Sequence, residues 1–166
     1  RLFHEAGIEV APYREFLRST WRTSPDTVII EIEKTLGYPC FVKPVNSGSS
    51  VGISKAKTRE SLREAMDLAA RYDRKILVES HIDGREIEVS VLGNDHPIAS
   101  LPGEIVPCNE FYDYTAKYVD DRSELKIPAD LPAEMIEEIR AAAIRAYKAL
   151  DCAGMARVDF FLERKT

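Results

Sequence analysis

The chain has 166 residues, 45% hydrophobic and 31% charged, which suits one compact globular domain or two small ones. A net charge of −5 argues against a general nucleic-acid binder, and no apolar run reaches the roughly 18 residues that would cross a membrane. Three widely spaced cysteines, Cys40, Cys108 and Cys152, fit neither a disulfide framework nor zinc-site spacing and read as reduced thiols of a cytoplasmic protein.

The chain opens on Arg1 inside a helical pattern that ends at Gly7, and it stops straight after a strand; it reads as a piece of a longer protein. Ile8–Tyr13 is extended and broken by Pro12, and Arg14–Ser24 has no period and reads as loop or irregular strand. Pro25-Asp26 starts a helix through about Leu36, with Val28, Ile29, Ile32 and Leu36 on one side. Cys40–Ala56 reads as strand, Gly/Ser loop, strand, with Phe41, Val42 and Val45 supplying the first strand's buried content. Thr58 can cap a helix carrying Leu62, Ala65, Met66, Ala69 and Tyr72 at helical spacing, and Ile76–Glu79 is a short buried strand.

Gly84 precedes an alternating strand in which Ile87, Val89 and Val91 face one way and Glu86, Glu88 and Ser90 the other. A second strand, Ile98–Val106, is interrupted by Pro102-Gly103. Phe111–Asp121 is aromatic and polar without period, a candidate functional loop. Pro132 begins the longest helix, with Ile136, Ile139, Ala143, Ala146, Tyr147 and Leu150 on its buried side, and Met155–Glu163 is the last strand. The order predicts an α+β fold of two lobes, residues 1–82 and 83–166, joined near Glu79–Gly84.

Four stretches can carry chemistry. In Ser47-Gly48-Ser49-Ser50-Val51-Gly52 the glycines permit close backbone approach, and successive N–H groups with serine hydroxyls suit an anion; Lys43 adds a point charge suited to phosphate. A flexible hairpin is the plain alternative. Glu79-Ser80-His81-Ile82 offers backbone groups to an adenine edge, with Glu86 within reach of ribose hydroxyls; the plain reading of Glu86 and Glu88 is a solvated strand face. Tyr112–Tyr118 is either a tyrosine-rich recognition patch or a lid in which Lys117 reaches phosphate and Tyr118 substrate. Period 2 puts Arg157 and Asp159 on one strand face, either as a structural ion pair or as an oxyanion-neutralising cation beside a Mg²⁺ ligand.

Taken together, KPVNSGSSVGISK, VESHIDGREIEVSVLG, FYDYTAKY and GMARVDFFLE resemble the D-alanine–D-alanine ligases of the ATP-grasp superfamily, over essentially the whole chain. The resemblance implies an ATP-grasp fold of two α+β lobes with the nucleotide between them, the first bearing the phosphate flap and the second the lid and a metal-binding strand. It implies that Lys43 binds the ATP phosphates and that the loop Ser47–Gly52 closes on them. Ser49 would join a hydrogen-bond triad with Tyr118. Glu79 would meet the adenine amino group, with Ser80, His81 and Ile82 along the base, Glu86 at the ribose and Lys117 at the γ-phosphate. Arg157 would stabilise the tetrahedral intermediate and Asp159 would bind Mg²⁺ or Mn²⁺. Ser47 stands where the family has a glutamate.

The implied reaction joins two D-alanines at the expense of ATP through a D-alanyl phosphate, supplying peptidoglycan synthesis in a cytoplasmic homodimer. The resemblance also implies an N-terminal domain and an ATP-binding lysine ahead of Arg1, and a second metal carboxylate, an asparagine and a glycine beyond Thr166, so that this piece by itself is catalytically incomplete. Tyr118 favours an amine acceptor over D-lactate. A D-serine or D-lactate ligase, another ATP-grasp carboxylate–amine ligase, or a non-catalytic nucleotide-binding module are the alternatives.

Overall fold

The structure is a computed structural model and describes residues 2–106 and 124–164. These fall into two compact units: residues 11–81 form one, and residues 2–10, 82–106 and 124–164 form the other. The expected division at residues 82/83 lies beside this crossing, but residues 2–10 group with the second unit, because α1 (Leu2–Glu5) packs against its long helix.

The first unit runs β1 (Tyr13–Leu17), α2 (Arg18–Thr23), α3 (Pro25–Thr35), β2 (Cys40–Pro44), β3 (Ser54–Ala56), α4 (Arg59–Tyr72) and β4 (Lys75–Ser80). Its sheet has the order β1-β4-β2-β3, all antiparallel. Alternation sends Cys40, Val42, Ala56, Ile76 and Val78 into a core completed by Ile29 and Ile32 of α3 and Leu62, Met66 and Ala69 of α4. Phe41, Lys43, Lys55 and Glu79 occupy the opposite face, since Phe41 is the register partner of both Lys55 and Glu79.

Two local expectations are corrected. Arg14–Ser24, expected as loop or irregular strand, is strand only as far as Leu17, the end of β1, and then forms the helix α2. The edge strand buries only Phe16, and the helix buries only Trp21, whose Nε1 donates to Asp67 Oδ1 of α4 at 2.8 Å, so neither shows a period. Val45 lies beyond the end of β2 and is exposed, not part of its buried content. Thr58 caps α4 as expected, and Ser61 completes a capping box with it. Cys40 is buried, and burial pushes its thiol up to about 11, in keeping with a reduced cysteine.

The second unit contains β5 (Gly84–Leu92), β6 (Ile98–Ala99), β7 (Gly103–Val106), β8 (Glu124–Lys126), α5 (Ala133–Ala149) and β9 (Met155–Glu163). The strand expected over Ile98–Val106 is two strands, parted at Pro102, which cannot donate to a ladder. β9 pairs with β5 along its whole length, so β6 and β7 share the other edge of β5 and β8 continues beyond β7. Ile87, Val89 and Val91 with Ala156, Val158 and Phe160 pack beneath α5, through Ile139, Ala143 and Tyr147. Ile136 and Leu150, also expected on the buried side of α5, are half-buried and exposed. The other sheet face is left to Glu86, Glu88, Ser90, Arg157, Asp159 and Phe161. Arg85 makes a two-pronged ion pair with Glu104 at 2.7 and 2.6 Å across the β5–β7 ladder. Glu104 is only 8% exposed, and the guanidinium hydrogen bonds hold its carboxyl below the usual range.

Among the described residues no helix is long and apolar enough to cross a membrane.

Candidate functional site

Lys43, Glu79, Glu86, Arg157 and Asp159 lie on the helix-free faces of the two sheets. In the first unit the helices cover one face, so charged side chains at alternate positions of β2 and β4 are left on the other. Lys43 Nζ lies 2.5 Å from Glu79 Oε2, a half-buried ion pair one register step apart. The Phe41 ring, opposite Glu79 in register, sits 5.7 Å from the His81 ring, and Lys55 Nζ lies 5.7 Å from the Phe41 centroid. Ser80 N–H donates to Pro12 O and His81 N–H to Pro39 O, which fixes this end of β4 just before the chain enters the second unit at Ile82. Lys55 was not singled out from the sequence, and Phe41, expected in the buried content of the first strand, is half-buried on the face of Lys43, where alternation carries both.

The loop between β2 and β3 is tightly turned. Ser49 and Ser50 have φ of 50° and 58°, and Gly52 of 77°. Non-glycine residues rarely adopt that region, and consecutive ones aim neighbouring N–H groups towards one side. Val51 N–H donates to Gly48 O at 3.0 Å and Ile53 N–H to Ser50 O at 3.2 Å. Asp73, just past α4, ties down the near end: its Oδ2 accepts from the Asn46 backbone at 2.7 Å and side chain at 2.8 Å. Those bonds, the backbone one first, hold the Asp73 carboxyl below its usual range. A Cβ on Gly52 would stand 2.6 Å from the Tyr72 ring, whereas one on Gly48 would meet nothing within 4 Å. Ser47 and Ser50 are half-buried; Gly48, Ser49 and Val51 are exposed.

In the second unit Glu86 and Glu88 project from the central strand β5, with Arg157 and Asp159 on β9 beside them. Arg157 Nε and Nη2 donate to Asp159 Oδ1 and Oδ2 at 2.7 and 2.9 Å. Its Nη1 lies 2.9 Å from Glu88 Oε1, and Glu88 and Asp159 are register partners. The structural ion pair weighed for Arg157 and Asp159 is therefore present, and Glu88, read as a solvated strand position, belongs to it. Asp159 has hard oxygen donors of the type Mg²⁺ takes and already faces a cation; among the described residues no group of three acidic, histidine or cysteine side chains could hold a metal alone. Lys117 and Tyr118 lie outside the described residues.

The family profile described as D-ala D-ala ligase C-terminus matches residues 2–166. A D-alanine–D-alanine ligase of Acetivibrio thermocellus is 55% identical over 165 residues, covering 99% of this chain and 44% of that protein. One from Bacillus velezensis is 55% identical over 161 residues, 97% of this chain and 46% of that protein. Among solved structures, the VanG D-Ala:D-Ser ligase from Enterococcus faecalis superposes with a TM-score of 0.85 at 40% identity, over 98% of this chain and 46% of that one. The D-alanine–D-alanine ligase from Coxiella burnetii gives 0.79 at 34% identity, over 98% and 41%. The chain thus spans a little under half the length of the relatives it matches. Its α+β fold is that of the ATP-grasp ligases, and the chain belongs to the D-alanine–D-alanine ligase C-terminal family.

Proposed function

We propose that this chain is the nucleotide-handling part of an ATP-dependent D-alanine–D-alanine ligase. The carboxylate of one D-alanine takes the γ-phosphoryl group of ATP, releasing ADP; the amine of a second attacks the acyl phosphate, and phosphate leaves as the peptide bond forms. Such chemistry asks mainly for positioning and charge neutralisation. The observation that carries the reading is the loop turned through Ser49, Ser50 and Gly52 on the strand that presents Lys43.

The roles are those that the family resemblance implies, and the chemistry of each group suits them. Loop N–H groups and Lys43 hold the phosphates; Glu79, Ser80, His81 and Ile82 line the base; Glu86 meets the ribose. Arg157 neutralises the oxyanion at the carbonyl carbon. Asp159 would hold Mg²⁺ or Mn²⁺ together with donors outside the described residues, and the ion supplies neutralisation of phosphate charge. Lys117 at the γ-phosphate and Tyr118 with Ser49 complete the reading from outside and inside the described residues. A cytoplasmic homodimer supplying the dipeptide to peptidoglycan synthesis is part of the same proposal.

The curated relatives at 55% identity favour D-alanine as acceptor, while the likeness to a D-Ala:D-Ser ligase supports D-serine as the second reading. Assay of the full-length protein with ATP, Mg²⁺ and D-alanine, with D-serine and D-lactate added in parallel, separates them. ADP release that depends on D-alanine alone, with dipeptide formed, is the expected result. No ADP release with any of the three, from a folded protein that binds ATP, overturns the substrate assignment.

A further inference from the structure

Two consecutive residues, Tyr72 and Asp73, meet the two ends of the loop between β2 and β3. Tyr72 is the last residue of α4 and Asp73 its C-cap, with the Asp73 N–H donating to Ala69 O at 3.1 Å. Asp73 Oδ2 accepts from the Asn46 backbone N–H at 2.7 Å and from the Asn46 side chain at 2.8 Å. Its Oδ1 accepts from the Lys75 N–H at 3.2 Å, so one carboxylate joins the helix end, the start of β4 and the start of the loop. At the far end, a Cβ on Gly52 would stand 2.6 Å from Tyr72 Cδ2 and 3.0 Å from Pro44 Cγ. The bare backbone there abuts both the tyrosine ring and the last residue of β2. Between the two ties lie Ser47, Gly48, Ser49, Ser50 and Val51, the stretch whose N–H groups suit phosphate.

Simple energetics disfavour both placements. The C-terminal end of a helix carries partial negative charge and favours a cation over a carboxylate. A loop turned to receive an anion is likewise a poor neighbour for a carboxylate. Tyr72 leaves 54% of its surface in water, although α4 buries Ala65, Met66, Ala69 and Ala70 on its inner side. Each placement makes sense as part of a seat for the loop. Ordering free loop residues around a phosphate subtracts backbone entropy from binding, and fixing both ends beforehand removes part of that cost.

We propose that Tyr72 and Asp73 are positioning residues for the nucleotide: they pin both ends of the loop, so that its N–H groups are turned towards the phosphates before ATP arrives. The inference rests on the ligase reading for the identity of the anion, and it goes beyond that reading by assigning two residues that act through the loop.

The test uses the full-length protein as wild type, Asp73→Ala, Asn46→Ala, the double variant, Tyr72→Ala and Tyr72→Phe. Calorimetry reads the affinity for a non-hydrolysable ATP analogue and for adenosine, which has the base and ribose but no phosphate. Asp73→Ala should weaken the analogue about tenfold, the scale of a lost charge-assisted hydrogen bond, and leave adenosine unchanged. The sign is decisive, because a carboxylate acting only through its charge repels phosphate, and its removal would tighten the analogue. Asn46→Ala keeps the backbone bond and should cost about threefold alone, but nothing further when Asp73 is already alanine. Tyr72→Ala should also weaken the analogue, and Tyr72→Phe, which keeps the ring, should restore wild-type affinity.

Unchanged or tighter binding of the analogue by a folded Asp73→Ala overturns the proposal, as does equal weakening of analogue and adenosine. An equal cost of Asn46→Ala in both backgrounds makes Asn46 a direct phosphate ligand and overturns the Asp73 tie. Wild-type affinity in Tyr72→Ala overturns the part given to the ring. Should Asp73→Ala fail to fold, Asp73→Asn keeps the shape and drops the charge: a weaker analogue with adenosine unchanged supports the tie, and an unchanged or tighter one overturns it. If wild type binds the analogue but shows no turnover dependent on D-alanine, the D-alanine ligase reading fails while the affinities still decide the clamp.

Discussion

Lys43 and Glu79, assigned to opposite ends of a bound ATP, hold one another as an ion pair at 2.5 Å. Under the proposed roles, ligand binding parts them, or lengthens the contact, before each meets its own end of the nucleotide. Both side chains keep about 30% of their surface exposed (32% and 28%), so the pair adds little to stability. Lys43→Met should change the unfolding free energy by less than about 1 kcal/mol, read by urea titration. Its ATP affinity, read by calorimetry, should fall about tenfold or more, the scale of a lost charged hydrogen bond.

Glu79→Gln separates its two roles. If Glu79 accepts from the adenine amino group, wild type should prefer ATP over inosine triphosphate, which lacks that amine, and the variant should narrow the ratio. Equal loss for both nucleotides would leave Glu79 as the partner of Lys43 only.

The two glycines of the flap should behave in opposite ways. Gly52→Ala forces a side chain into φ 77° and against the Tyr72 ring at 2.6 Å, a destabilisation of about 1–3 kcal/mol. Removing the ring with Tyr72→Ala should recover the steric part and leave the backbone part. Gly48→Ala meets nothing within 4 Å and should leave the denaturation midpoint unchanged. A fall in ATP affinity in a Gly48→Ala protein of normal stability would report close approach of phosphate to the loop backbone.

Much of this flap was legible locally, because Gly/Ser content and flanking β-branched residues are written in consecutive positions. The strand–loop–strand, the Thr58 cap and the alternating faces of β5 and β9 all follow from spacing. The parts that were not legible depend on distant partners. Trp21 anchors the helix of an aperiodic stretch through burial and through Asp67, which accepts its indole N–H from another helix. Glu88 looks solvated until β9 is laid beside β5 and Arg157 reaches it. Period 2 says which residues share a face of one strand, but not which strand comes alongside.

Asp73 gives the flap root a pH dependence whose sign is fixed. Its carboxyl lies below the ordinary 3.8 because the Asn46 backbone N–H donates to it, opposed by partial desolvation. A lowered native value means stability that is present above 3.8 and is lost as pH falls through the native value. Asp73→Asn should flatten the acid limb of a thermal-stability profile in that range and leave its neutral arm parallel to wild type. An acid limb as steep as wild type's would remove Asp73 from the account.

The Arg85–Glu104 pair tests the β5–β7 ladder away from the chemistry. Arg85→Ala leaves a carboxylate, 8% exposed, without its cation, and should cost about 3–5 kcal/mol by urea titration. Replacing both residues with methionine should cost much less than the single change, since no uncompensated charge remains.

The pairing of β5 with β9 also governs the order in which the molecule can be assembled. Leu92 and Met155 are register partners, yet the ribosome makes them far apart, with β6, β7, β8 and α5 between. Until the last strand arrives, β5 keeps one edge with open N–H and C=O groups from Gly84 to Leu92, a template for foreign strands. Arg157 and Asp159 enter on the strand that closes this edge, and Glu88 is already waiting opposite. Closing the sheet and forming the three-residue ion cluster are one event in the life of the chain, so a product cut short of Met155 carries a sticky edge and lacks two of the cluster's three members.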